Sequence, residues 1–187
     1  MDKELKIQAE NALNAYKNAD ENGKKMLEAL FGKETFMPQD IKERVKTFAD
    51  ACAILGINHD EWLKENETEK MDDDVLAFLK LRIITQALNE GWKPIFDGET
   101  CRFYPWFYVY SKKEYEELDE EEKKECRVVG RSHHSASAIG GVACAYANSA
   151  ASFSGTGSGS RLAFKNRELA EYCGKQFIEI WENYLFG

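Results

Sequence analysis

No apolar run in this 187-residue chain approaches the ~18 residues that a membrane-crossing helix requires, so a membrane span is not expected. The N-terminal stretch MDKELKIQAENAL is charged and amphipathic, unlike the apolar core of a secretory signal, and a cytoplasmic location is the expectation. Basic residues are too few for a general phosphate-binding field. Against 33 acidic residues stand 25 basic ones, a formal charge of −8, which disfavours nucleic acid as a partner. The five cysteines, Cys52, Cys101, Cys126, Cys144 and Cys173, are odd in number and scattered, with no C-x-x-C pair. That excludes a zinc knuckle or a dithiol redox motif and points to reduced, mostly buried thiols, with no metal or other cofactor expected.

Catalytic signatures are missing too. No G-x-S-x-G elbow frames a serine, and no known cysteine-enzyme pattern frames Cys144. The stretch GTGSGSR offers Gly155, Gly157 and Gly159, but it lacks the lysine and hydroxyl pair of a phosphate loop, and Ser160 stands where a third glycine belongs. No internal repeat is visible. The chain is therefore expected not to be an enzyme, and no catalytic residue is assigned.

Its aromatic and apolar content, 12% and 43%, suffices for a packed core. Apolar spacing predicts two consecutive helices over residues 3–31, through Leu5, Ala9, Ala12, Leu13 and Tyr16, then Met26, Leu27, Leu30 and Phe31, with Asp20 as a cap and Gly32 as the stop. Thr47 and Asp50 approximate a capping box, and Asn58 caps a second short helix, giving a helical hairpin to about Glu65. The second helix of that hairpin is too acidic to read DNA. A long helix follows from Asp72 to Glu90, with Val75, Leu76, Leu79, Ile83, Ala87 and Leu88 as its apolar stripe and Gly91 as its terminator.

At Trp92 the pattern changes to turns and a dense aromatic run, so a second region is expected to begin there. In CRFYPWFYVY, alternation sends Phe103, Phe107 and Val109 to a core face and Tyr104, Trp106, Tyr108 and Tyr110 to the other. Residues 112–125 read as an exposed helix, and Cys126–Val129 as a strand. Small residues dominate 132–160, where a hairpin of Val142–Tyr146 and Ala150–Phe153 bending at Asn148 is one reading and a mobile loop the other. Arg161–Phe164 reads as a strand, and Leu169, Cys173, Phe177, Ile180, Trp181 and Tyr184 as the apolar side of a C-terminal helix capped by Asn166. The fold class is α+β. A helical N-terminal half, residues 1–91, packs with a small C-terminal antiparallel sheet and a C-terminal helix within 92–187, which also carry the Gly/Ser/Ala-rich loop.

The segments CRFYPWF and GSRLAFKNRELAEYCGKQFIEIWENYL resemble a family of phage and prophage proteins of Bacteroides-type bacteria that has no established activity. The segments KKMLEALFGKETF, TFADACAILGI and ALNEGWKP are similar to the same family. The resemblance implies a mobile-element origin and a host-takeover or counter-defence role in the host cytoplasm, and it supplies no catalytic residues.

The residues themselves suggest a pocket. Tyr104, Trp106 and Tyr108 form a stacking platform, and Arg127, Arg131, His133, His134 and Arg161 are a polar island that can border it, closed by the Gly/Ser-rich loop. His133 and His134 are adjacent, so in a strand they face opposite sides and would not share a metal. The expected function is capture of a small nucleotide-like ligand without catalysis. The alternatives are a protein-interaction or structural component, acting through the acidic helical surface and self-association into a homo-oligomer with a host protein as partner, and a hydrolase built on His133 or His134.

Overall fold

A computed structural model of the chain describes residues 6–67, 71–125, 141–150 and 162–187. The chain is helix-rich and divides into two compact units, Met1–Arg44 and Val45–Gly187. The long helix that precedes Trp92 packs within the second unit. No helix among the described residues is long and apolar enough to cross a membrane.

In the first unit, α1 (Ala9–Asn18) and α2 (Glu21–Phe31) are separated by the Asp20 cap, whose carboxylate accepts the Gly23 N–H at 2.8 Å. Gly32 ends α2 at φ 81°, a backbone angle that side-chain-bearing residues rarely adopt. A 3₁₀ turn (Lys33–Phe36) and the short α3 (Ile41–Arg44) follow. Tyr16 ties the helices together: its ring stacks on Phe36 at 4.2 Å, and its hydroxyl donates to Glu28 at 2.5 Å. Of the expected apolar face, Ala12 is buried, whereas Met26 and Leu30 of α2 stay exposed.

The second unit begins with α4 (Phe48–Ile54) and α5 (His59–Asn66). The capping box forms as the spacing predicts: Thr47 Oγ1 accepts the Asp50 N–H at 3.1 Å, and the Asp50 carboxylate accepts the Thr47 N–H at 2.8 Å. Asn58 caps α5 through its side-chain oxygen. Helix α6 (Asp73–Leu88) buries Ala77, Leu81, Ile84, Thr85, Ala87 and Leu88, while Val75 is exposed and Leu79 and Ile83 are half-buried. The buried side is therefore rotated from the expected stripe. Apolar residues occupy nearly every side of α6, so its partners, α4 and a C-terminal helix, select which side is covered.

After α6 come strand β1 (Arg102–Tyr110), short helices α7 (Lys112–Glu117) and α8 (Glu120–Glu125), strand β2 (Gly141–Ala150), and helices α9 (Arg167–Gln176) and α10 (Ile178–Phe186). The segment 112–125 is thus two helices with Leu118 between them, because Ser111 caps one and Asp119 bonds into the first turn of the next. The C-terminal helix is also two, broken at Phe177, whose ψ of 31° departs from the helical value.

Strands β1 and β2 pair antiparallel as a two-stranded ribbon, from Arg102↔Ala150 to Tyr110↔Gly141. No bend occurs at Asn148, which pairs with Tyr104 inside a continuous strand, so the hairpin centred on it does not form and residues 141–150 are strand instead of loop. Cys126–Val129 lies outside the described residues. Of Arg161–Phe164, only Phe164 takes part in pairing, as a single bridge to Phe103, and Arg161 is not described.

Leu81, Ile84 and Leu88 of α6 and Ile178 and Trp181 of α10 are completely buried, as is Phe164. Each large apolar side chain so buried contributes about 1.5–3 kcal/mol to folding. Helix α6 packs on α10, and α9 lies against both strands.

Candidate functional site

The strand β1 organises the site, and its hydrogen-bonding phase can be read from two fixed points. Phe103 exchanges both backbone bonds with Phe164, N–H to O at 3.1 Å and O from N–H at 2.7 Å, so its polar groups face away from β2. Ala147, opposite Pro105, spends its groups on α9: its N–H donates to Glu171 at 3.4 Å, and its carbonyl accepts from Arg167 Nη1 at 2.5 Å. Both points agree that odd-numbered residues of β1 turn their polar groups outward, since backbone groups alternate sides with period two. Pro105 has the same phase as Phe103 and carries no N–H, which accounts for the bridge to Phe164 remaining a single one.

Register slips by one residue between Trp106 and Phe107, where Tyr146 and Cys144 are the respective partners and Ala145 is the extra residue on β2. Such a bulge increases twist and re-aims neighbouring side chains. Here Val109, expected in the core, is exposed, and so are Trp106 at 45% and Tyr108 at 57%. Phe107 remains partly covered, with its ring 5.2 Å from that of Trp181.

Two hollows border the strand. The first, about 290 Å³, is lined by Tyr104, Pro105, Trp106, Phe107 and Val109 of β1 together with Trp181, Leu185 and Phe186 of α10. Its walls are apolar and aromatic. The buried Trp181 lacks an acceptor for its Nε1–H among the described residues, an unsatisfied donor in the site's wall. The second hollow, about 390 Å³, is lined by Tyr108, Val109, Tyr110, Glu114, Glu117, Leu118 and Glu122. The Ser111 hydroxyl and N–H hold the Glu114 carboxyl below its usual range, so it stays ionised at neutral pH. Val109 lines both hollows, so they adjoin along β1.

Anchors fix the N-terminal end of the strand. Arg102, nearly buried, donates to the Ile95 carbonyl at 2.8 Å and lies 4.3 Å from the Phe96 ring centre. Asn89, buried at the end of α6, donates from Nδ2 to the Ala163 carbonyl at 2.8 Å and accepts the Lys165 N–H at 3.1 Å. It thereby presents Phe164 to Phe103.

Of the residues singled out in the sequence, Tyr104 and Trp106 come together at the first hollow and Tyr108 stands at the second. Arg127, Arg131, His133, His134 and Arg161 lie outside the described residues, as does most of the Gly/Ser-rich loop. His59, the described histidine, bonds its neighbour Asp60 at 2.9 Å and joins neither hollow. The sequence reading missed Leu185 and Phe186, although Leu185 follows Trp181 by one helical turn. It also missed Pro105 as a marker of the strand's outward phase, and Glu114, Glu117 and Glu122 as a border of the aromatic strand. No family model matches the chain, and no curated protein or solved structure gives a significant match.

Proposed function

We propose that this chain is a non-enzymatic binding protein of phage type, serving host takeover or counter-defence in the host cytoplasm, and that it captures a protein partner through the aromatic strand β1. One observation carries the reading: Trp106 and Tyr108 are exposed on the strand that borders an apolar hollow backed by Trp181, Leu185 and Phe186 of α10. Exposed aromatics around an apolar hollow are the composition of an interaction hot spot. On this reading the contact is made by the strand and not by the acidic helical surface. It also treats the ribbon as part of the small antiparallel sheet of an α+β fold.

A second reading, capture of a small nucleotide-like ligand, draws on the exposed Trp106 indole as a stacking platform beside a hollow near the lower size limit of ligand pockets. The glutamates bordering β1 count against it, since they repel phosphate; the arginines that would offset them, Arg127, Arg131 and Arg161, lie outside the described residues. A hydrolase would rest on His133 or His134 and predicts turnover that vanishes when both become alanine.

Native mass spectrometry of the chain recovered from its host cells separates the readings. A stoichiometric protein partner retained by the native chain and lost from a Trp106→Ala/Tyr108→Ala variant is the expected result. A retained nucleotide mass would favour the second reading, and a partner indifferent to both substitutions would overturn the role of β1.

A further inference from the structure

We infer that the outer edge of β1, from Phe107 to Val109, is a docking edge for an extended peptide segment of a partner protein, carrying one large apolar side chain and, two or four residues away, a lysine or arginine. This rests on the protein-capture reading and specifies its mode. The phase established by Phe103 and Ala147 turns the N–H and carbonyl groups of Phe107 and Val109 outward. Among the described residues, no strand pairs with that stretch, and Phe164 occupies the edge only at Phe103. An unpaired strand edge is a template for an added strand.

The side chains around the edge say what such a strand would carry. Residues of both phases, Tyr104 and Trp106 with Pro105, Phe107 and Val109, line the first hollow, as expected of a hollow that runs along a strand's margin and not over one face. About 290 Å³ of apolar space accepts a leucine, methionine or aromatic side chain. Farther along the same strand, Tyr108 and Tyr110 stand with Glu114, Glu117 and Glu122, and the segment 111–125 holds eight acidic residues against four lysines. Aromatic faces together with carboxylates attract an ammonium or guanidinium group. Side chains two apart on an extended peptide lie about 7 Å apart on one face, and those four apart about twice that, the spacing by which a strand laid along β1 would serve two adjoining hollows.

The test is selection of a displayed library of random twelve-residue peptides on the immobilised full chain, followed by affinity measurement of the enriched peptides as synthetic compounds. The expected enrichment is an apolar residue with Lys or Arg two or four positions away. Val109→Pro removes an outward N–H without touching the ladder to β2, at a phase where the chain already carries Pro105, and should weaken the peptides tenfold or more. Because that variant can perturb the fold, peptides N-methylated at alternate backbone amides supply a second measurement on the unaltered protein; methylation in one of the two phases should abolish binding.

Peptides that lose affinity on Trp106→Ala, yet ignore both Val109→Pro and N-methylation, would overturn edge docking while leaving capture at the aromatic surface intact. Absence of any enriched peptide, or enriched peptides indifferent to Trp106→Ala as well, would overturn both. Enrichment of acidic peptides would overturn the charge assignment.

Discussion

Replacing Asn89 with alanine should destabilise the second unit by about 2–4 kcal/mol. The side chain is 3% exposed and makes two hydrogen bonds to one segment, to the Ala163 carbonyl at 2.8 Å and from the Lys165 N–H at 3.1 Å. Each such bond contributes about 1 kcal/mol net, and a buried group left unpaired costs about 1–3 kcal/mol. Ala163 is itself 3% exposed, so water does not readily replace the lost donor at its carbonyl. Urea unfolding followed by circular dichroism should show a midpoint lowered by about 1–2 M, given a slope of about 1–3 kcal/mol per M, with the slope unchanged. The loss should also be local: the Phe103 and Phe164 amides, which bond each other, should exchange faster in native conditions than those in α4. Asn89→Asp keeps the acceptor for Lys165 but not the donor for Ala163, and should fall at least as far. A change below about 0.5 kcal/mol in Asn89→Ala would refute the argument that this amide holds Phe164 against β1.

Four further outcomes follow from the same geometry. Thr47→Ala opens the capping box of α4 and should cost about 1 kcal/mol in the same unfolding assay. Bonds from the Thr100 hydroxyl, the Thr100 N–H and the Glu99 N–H pull the Asp97 carboxyl down to about 2, so its contribution is present above the ordinary carboxylate range and lost as pH falls toward 2; Thr100→Ala should move its titration, followed by carboxyl NMR, back upward. Tyr184 behaves oppositely, since burial, with Asp74 nearby, raises its phenol, and thermal stability should decline as pH climbs above about 10, a decline that Tyr184→Phe reduces. Peptide mapping after brief maleimide treatment should find Cys101 labelled, and Cys52 and Cys173 labelled only after denaturation, because Cys101 is exposed and the other two are buried.

The parts of this fold that the sequence made legible are those written by local chemistry. Asp20, Thr47 with Asp50, Asn58 and Asn166 satisfy helix N-termini from within four residues, and each does so in the structure. The face of α6 was not legible, because Val75, Leu76, Phe78, Leu81 and Ile84 together supply apolar groups on all sides and only packing against α4 and α10 decides among them. Strand β2 was hidden for a different reason. Glycine, alanine and serine carry little alternation of hydrophobicity, so its strand character comes from pairing with β1 and from the clasp of Arg167 and Glu171 on Ala147. The break at Phe177 has no glycine or proline to announce it.

The candidate site divides in the same way. The aromatic platform of Tyr104, Trp106 and Tyr108 was visible as a run of rings, but the one-residue slip after Trp106 and the exposure of Val109, which lines both hollows, could not be read from β1 alone. The contribution of Leu185 and Phe186 likewise depends on α10 starting afresh at Ile178.

The central claim, that a partner docks along the outer side of β1, is tested most directly by amide hydrogen exchange of the full chain with and without a saturating library-selected peptide. Slowed exchange concentrated at Phe107 and Val109, the outward N–H groups of the strand, is the predicted result. Protection confined to α2 or to the acidic helices, with β1 unchanged, would contradict it.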